Sequence, residues 1–189
     1  MKYIYADDIA ILTKNSSTYE IEDILSRDLH TIDSFLHCWR LKLNASKTVT
    51  SVFHLKNRSA NRTLNVSLKG NALKFDSNPK YLGVTLDRSL TYKEHLHHVA
   101  AKINARNSLL YRLAGSRWGA KFNVLRCSSL ALCFSCAEYC SPIWSHSTHV
   151  KKVDAALNDS MRLISGCIRV TPADILPVLS GIAEDSIRS

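Results

Sequence analysis

The chain has 189 residues and a formal net charge of +9, with 46% of its residues hydrophobic. That apolar share is enough for a packed core in one large or two small domains, and it excludes wholesale disorder. No stretch of 18 apolar residues occurs, so no membrane association is expected. Asp7 and Asp8 break the opening apolar stretch that a signal peptide needs, so the expected location is intracellular, nuclear or cytoplasmic, and not secreted.

In chain order, Tyr3-Ile4-Tyr5 and Ile9-Ala10-Ile11-Leu12 read as two strands of a hairpin over residues 2–12, with Ala6-Asp7-Asp8 as its polar break. Ser17-Thr18-Tyr19-Glu20 has the Ser-x-x-Glu spacing of a capping box. It predicts a helix to about Trp39, since Ile21, Ile24, Leu25, Leu29, Ile32, Phe35, Leu36 and Trp39 recur at helical spacing; this helix is expected to pack under the hairpin. Strands are predicted over 48–55, 64–68, 72–75 and 81–86, with a loop at 45–47 and a turn at Gly70-Asn71, making a small antiparallel set.

After Thr91 the period becomes helical. Leu96, Val99, Ile103, Leu110 and Leu113 mark a buried stripe, and Gly115 reads as the stop. Further helices are predicted over 121–139, ended by Pro142, over 150–166 with Val153, Leu157, Met161 and Ile164 inward, and from Thr171-Pro172 to Leu179 with Pro177 as its limit. The fold class expected is α+β, with strands before residues 80–90 and helices after.

Charge is unevenly placed. Residues 51–130 carry 14 Lys/Arg against 3 Asp/Glu, while the segments on either side are each close to neutral. A basic block of that kind is the footprint of a polyanionic partner, or else a solvated surface. Cys133, Cys136 and Cys140 recur at helical spacing and read as small buried hydrophobes; a zinc site with His146 and His149 is the alternative, at a spacing that fits no ordinary zinc pattern.

The chemistry lies in Asp7 and Asp8. Adjacent carboxylates on a tight turn repel each other, and a hard divalent cation with oxygen ligands offsets that repulsion. Asp pairs also cap turns, so the pair by itself is a weak signal. Its context is more specific. Tyr5-Ala6-Asp7-Asp8 within strand-like residues, then a helix, Leu43-Asn44-Ala45-Ser46-Lys47-Thr48, and Lys80-Tyr81-Leu82-Gly83-Val84-Thr85-Leu86-Asp87 follow one another in an order that resembles the reverse transcriptases of non-LTR, LINE-type retrotransposons, of a Jockey-like branch. The basic helix from Tyr92, Cys140-Ser141-Pro142-Ile143-Trp144 and Thr171-Pro172 resemble the region after the palm in that group.

The resemblance implies a partial palm over 1–88, a basic thumb-like helix over 89–118 and a helical segment after the thumb over 119–189. It implies that Asp7 and Asp8 are metal-binding catalytic acids for Mg²⁺ or Mn²⁺, and that Lys47 sits where some polymerases place a proton donor to pyrophosphate. Tyr5 would lie near the primer terminus, and Lys93, Lys102, Arg106, Arg112 and Arg117 would hold an RNA template and DNA primer through their phosphates. A complete palm carries a further Asp upstream of the hairpin, and fingers that hold the deoxynucleotide. Only four residues precede Tyr5. The expectation is therefore a carboxy-terminal fragment of an RNA-directed DNA polymerase that is inactive alone, with a non-catalytic nucleic-acid-binding remnant as the alternative.

Overall fold

A computed structural model of the chain describes residues 1–56, 62–115 and 119–182. The fold is mixed α and β, and it divides into two compact units, Met1–Leu90 and Thr91–Ser189.

The first unit opens with strands β1 (Lys2–Tyr5) and β2 (Asp8–Ile11), paired antiparallel so that Tyr5 faces Asp8 and Lys2 faces Ile11. Helix α1 (Thr18–Cys38) follows. Ser17 stands at its N-cap in extended conformation but makes no capping bond through its side chain, so the predicted capping box does not form. Asn15 takes over the entry: its Oδ1 accepts from the Ser16 and Ser17 amides at 2.6 and 3.3 Å, and its Nδ2 donates to Glu20. The nearer Asx turn captures the partners that the box would have used.

The apolar face of α1 does not pack beneath the hairpin as expected. Ile21, Leu25 and Leu29 lie against a small core of Leu64, Val66, Leu68 and Leu73. Two polar contacts hold it there: the Asn65 amide donates to Glu22 Oε1 at 2.8 Å, and Lys69 pairs with Asp33 at 3.0 Å. No residue of α1 is fully buried. Lys2 joins the hairpin to this helix through Asp28 at 3.0 Å, a surface ion pair worth at most about 1 kcal/mol.

The remaining strands are short pairs: β3 (Val49–Thr50), β4 (Ser67–Leu68), β5 (Asn71–Ala72), β6 (Lys74–Phe75), β7 (Lys80–Tyr81) and β8 (Val84–Thr85). The long strands predicted over 48–55, 64–68 and 81–86 shrink accordingly. The set is not wholly antiparallel, because β3 runs parallel to β6. The turn joining β4 and β5 falls at Lys69-Gly70, with φ of 52° and 79°, one residue before the predicted position. Tyr81-Leu82-Gly83-Val84 is a hairpin and not one strand, since Leu82 and Gly83 take φ of 43° and 83° and turn β7 back onto β8. Two successive positive φ values are what a type I′ two-residue hairpin turn requires.

The second unit holds the larger core, built from α2 (Lys93–Leu113), α3 (Phe122–Ser129), a π-helical turn (Leu130–Phe134), α4 (Ser135–Glu138), α5 (Ser141–Trp144), α6 (Lys151–Ser165), a 3₁₀ turn (Ala173–Ile175) and α7 (Leu176–Ser180). Leu96, Ile103, Leu110, Phe134, Leu157 and Leu176 are its fully buried centre. The stripe predicted on α2 holds except at Leu113, which stays 42% exposed; the helix ends at Leu113 with Ala114 as its cap, so Gly115 falls just past the cap as the expected stop. The helix predicted over 121–139 is interrupted by the π-turn. On α6 all four predicted residues are buried, and Gly166 ends it with φ of 70°. Pro177 lies in the first turn of α7 and starts that helix, where its missing N–H has no partner to lose, instead of limiting it.

Cys133 is fully buried, Cys136 and Cys140 are half-buried, and Cys38 and Cys127 are exposed. Among the described residues no group of three His, Cys, Asp or Glu side chains is placed to hold a metal ion. Burial pushes the Cys133 thiol above its ordinary pKa, against the opposing effects of a Ser160 hydrogen bond and the Arg106 charge.

Gly166→Ala adds a Cβ that meets nothing within 4 Å, so its cost is the left-handed conformation alone. Denaturant unfolding should register a loss of about 1 kcal/mol, and a smaller loss for Gly166→Asn. Thiol alkylation followed by mass spectrometry at neutral pH should modify Cys38 and Cys127 first and Cys133 last, because Cys133 is both buried and held as the unreactive thiol.

Candidate metal centre and nucleic-acid interface

The hairpin turn is made by Ala6 and Asp7, with Ala6 at φ 52°. Primed hairpin turns need a positive φ at their first central residue, and alanine adopts it at a cost of roughly 1–2 kcal/mol. That geometry puts Asp7 in the turn and Asp8 at the first residue of β2, both exposed. Strand alternation places Asp8 on one face with Tyr3, Tyr5 and Ala10, and Lys2, Ile4, Ile9 and Ile11 on the other. Neither Asp7 nor Asp8 makes an ion pair or side-chain hydrogen bond among the described residues. Their four oxygens are therefore open to a hard cation, and they fit one as donors, although two carboxylates fill only part of the six oxygen positions such an ion takes.

Lys47 is positioned by Asn44. The Asn44 Oδ1 accepts from the Ser46 amide and hydroxyl at 3.0 and 2.7 Å, and the Asn44 carbonyl accepts from the Lys47 and Thr48 amides and from Thr48 Oγ1. The result is a tight turn with an exposed Lys47. Asp7, Asp8 and Lys47 all line one open groove of about 1780 Å³ within the first unit. Tyr5 is 67% exposed and is not part of that lining.

Asp7 and Asp8 are the only acidic residues among the described lining of this groove, whereas Lys42, Lys56, Arg62 and Lys80 join Lys47 around it, each exposed. None of those four was singled out from the sequence. They come from separate segments; Lys80 opens the Lys80–Asp87 motif and the charge excess over 51–130 covers three of the four, but nothing in the sequence gathers them at one groove.

In the second unit, Lys93, Lys102 and Arg112 are exposed on α2 and make no ion pair or side-chain hydrogen bond among the described residues. Arg106 differs: it is half-buried, and its Nη1 donates to the Leu132 carbonyl. Arg117 lies outside the described residues. Tyr111, beside Arg112, is 75% exposed.

Comparison with known proteins finds polymerases of retrotransposons. The chain is 31% identical over 169 residues to the RNA-directed DNA polymerase from mobile element jockey of Drosophila melanogaster, covering 86% of this chain and 18% of that protein. It is 30% identical over 174 residues to the probable RNA-directed DNA polymerase from transposon BS of the same species, with the same coverage. The chain is a homologue of non-LTR retrotransposon RNA-directed DNA polymerases. A Pol polyprotein from the type-1 retrotransposable element R1 4 of Nasonia vitripennis is 25% identical over 195 residues, covering 94% of this chain and 50% of its own length. The chain thus spans about a fifth of the jockey and BS polymerases. No protein-family model matches it, and no solved structure does. Among the described residues no helix is long and apolar enough to cross a membrane.

Asn44→Ala removes the side-chain acceptor that shapes the Lys47 turn. Hydrogen exchange should show the Ser46 amide losing protection, with a stability loss of about 1 kcal/mol and no change in amides of α6.

Proposed function

We propose that this chain contributes part of the palm and the thumb of a retrotransposon reverse transcriptase, joining deoxynucleotides to a DNA primer on an RNA template. The observation that carries this reading is the pair Asp7 and Asp8 at a hairpin tip, the only acids among the described lining of a largely apolar groove that also bears several lysines and Arg62. Residues 1–88 correspond to the palm part, 89–118 to the thumb and 119–189 to the helical segment behind it.

Asp7 and Asp8 would hold Mg²⁺ or Mn²⁺. When bound, two such ions activate the attacking hydroxyl and stabilise the leaving pyrophosphate. The chain's own part is to place the two carboxylates and to keep cations nearby. The open oxygens of Asp7 and Asp8 would hold the ions, Tyr5, on the Asp8 face of the hairpin, would lie near the primer terminus, and Lys47, on the same groove as the acids, would give a proton to pyrophosphate. Lys93, Lys102 and Arg112 on α2 would meet backbone phosphates, which gives a grip independent of sequence. The resemblance places a further carboxylate in a part of the polymerase outside this segment, so the chain by itself would not polymerise.

Primer extension with Mg²⁺ and deoxynucleotides tests the reading. The 189-residue chain should give no templated extension, while a longer polymerase containing it should extend. There, Asp7→Asn should lower the rate by about a hundredfold or more, on the scale of losing a group that acts on transition-state charge. Full activity in that variant contradicts the assignment.

A second reading, a nucleic-acid-binding remnant without catalysis, is favoured by the exposed and unengaged cations of α2. Both readings expect duplex affinity that falls steeply with salt. Lys102→Gln and Arg112→Gln should each reduce the slope of log affinity against log salt by about 0.9. Extension by the longer polymerase separates the two.

A further inference from the structure

The π-turn at Leu130–Phe134 is the one break among the described residues in an otherwise continuous helical run from Phe122 to Glu138. Widening a helix to i→i+5 spacing disturbs the carbonyl ladder on one side of the turn, and a carbonyl so displaced needs another donor. Two side chains donate to carbonyls of this turn. Ser135 Oγ donates to the Ala131 carbonyl at 2.6 Å, and Arg106 Nη1 reaches across from α2 to the Leu132 carbonyl.

The next residue of α2 is anchored as well. Asn107 Nδ2 donates to the Ala156 carbonyl of α6 at 2.9 Å. Its Oδ1 accepts from Ser160 Oγ at 2.6 Å and from the Cys133 thiol of the π-turn at 3.4 Å. Consecutive residues thus fasten α2 to both of its neighbours in the core. Asn107 is held by partners that are themselves fully buried, which fixes the rotation of α2 about its axis at this point. Arg106 alone among the described cations of α2 lies partly inside, and its charge is felt by the buried Cys133.

We propose that Arg106 is a positioning residue and not a phosphate contact: by holding the Leu132 carbonyl it pins α2 against the π-turn and so sets the direction in which Lys102 and Arg112 face the nucleic acid. This rests on the reading of α2 as the duplex-binding helix. It divides the basic residues of that helix by task, with Lys93, Lys102 and Arg112 as the contacts and Arg106, with Asn107, as the fastening.

Two measurements on the whole chain test it, using Arg106→Gln and the milder Arg106→Lys. The first is affinity for a template–primer duplex across a series of salt concentrations. The second is native-state hydrogen exchange over residues 130–138. Arg106→Gln should weaken binding several-fold at every salt concentration with the slope unchanged, and should speed exchange in the π-turn. Arg106→Lys, which keeps a donor, should restore part of both. A slope reduced by about 0.9, as for Lys102→Gln, with exchange unaltered would overturn the proposal, because that is the mark of a lost phosphate contact. Unchanged affinity at all salt concentrations would overturn it too. If the unmodified chain binds no duplex, the reading of α2 fails and the positioning role fails with it. The exchange result then decides whether Arg106 still holds the turn.

Discussion

Two like charges at the tip of a two-residue turn set the terms for the rest of the first unit. The turn of Ala6 and Asp7 keeps the carboxylates of Asp7 and Asp8 in adjacent positions, and the positive φ at Ala6 is the strain accepted to do so. Neither acid is neutralised by a neighbouring side chain among the described residues. In water such a pair is merely tolerated, because the high dielectric weakens the repulsion. On the proposed reading, a divalent cation with oxygen ligands would offset the repulsion that remains. The exposure of Asp7 and Asp8 is thus what a metal-binding role requires.

The two units differ in how they are held together. The helical unit has one continuous core running from Leu96 to Ile182, with buried residues from nearly every helix. Among its described residues the first unit has a core cluster of four buried residues, Leu64, Val66, Leu68 and Leu73, and its longest helix has no buried side chain. Among the described residues its strands form four separate pairs instead of one sheet. Area removed from water is the main stabilising term, so the first unit is the weaker of the two. Open strand edges beside the groove also make it the part most exposed to unwanted strand pairing. The Asp7-Asp8 hairpin lies on the less stable unit, and the basic helix on the more stable one.

What could be read from the sequence follows from the range of the interactions. The hairpin, α1, α2 and α6 were legible because alternation and helical spacing are local properties of the chain. The buried face of α6, Val153, Leu157, Met161 and Ile164, was legible residue by residue. What was not legible depended on distant partners. The seat of α1 against Leu64–Leu73 is decided by Glu22 and Asp33 finding Asn65 and Lys69. The parallel pairing of β3 with β6 joins residues 24 or more apart, with Thr50 Oγ1 and Ser51 Oγ bonded to the Lys74 and Asp76 carbonyls. Leu82 at φ 43° gives no warning, since leucine is not a residue that marks such turns. The π-turn has no local signature either, and its Leu132 carbonyl accepts from Arg106, an arginine expected from the sequence to meet phosphate. At the candidate site, the acids and Lys47 were found from motif order, whereas Lys42, Lys56, Arg62 and Lys80 emerged only when the fold brought them to one groove.

The central claim is that Asp7 and Asp8 hold a divalent cation. Electron paramagnetic resonance of Mn²⁺ titrated into the chain tests it most directly, since bound and free Mn²⁺ give different signals. The account predicts a bound population that Mg²⁺ displaces, reduced in Asp7→Asn and lost in Asp7→Asn/Asp8→Asn. Equal Mn²⁺ binding by the unmodified chain and the double variant would contradict it.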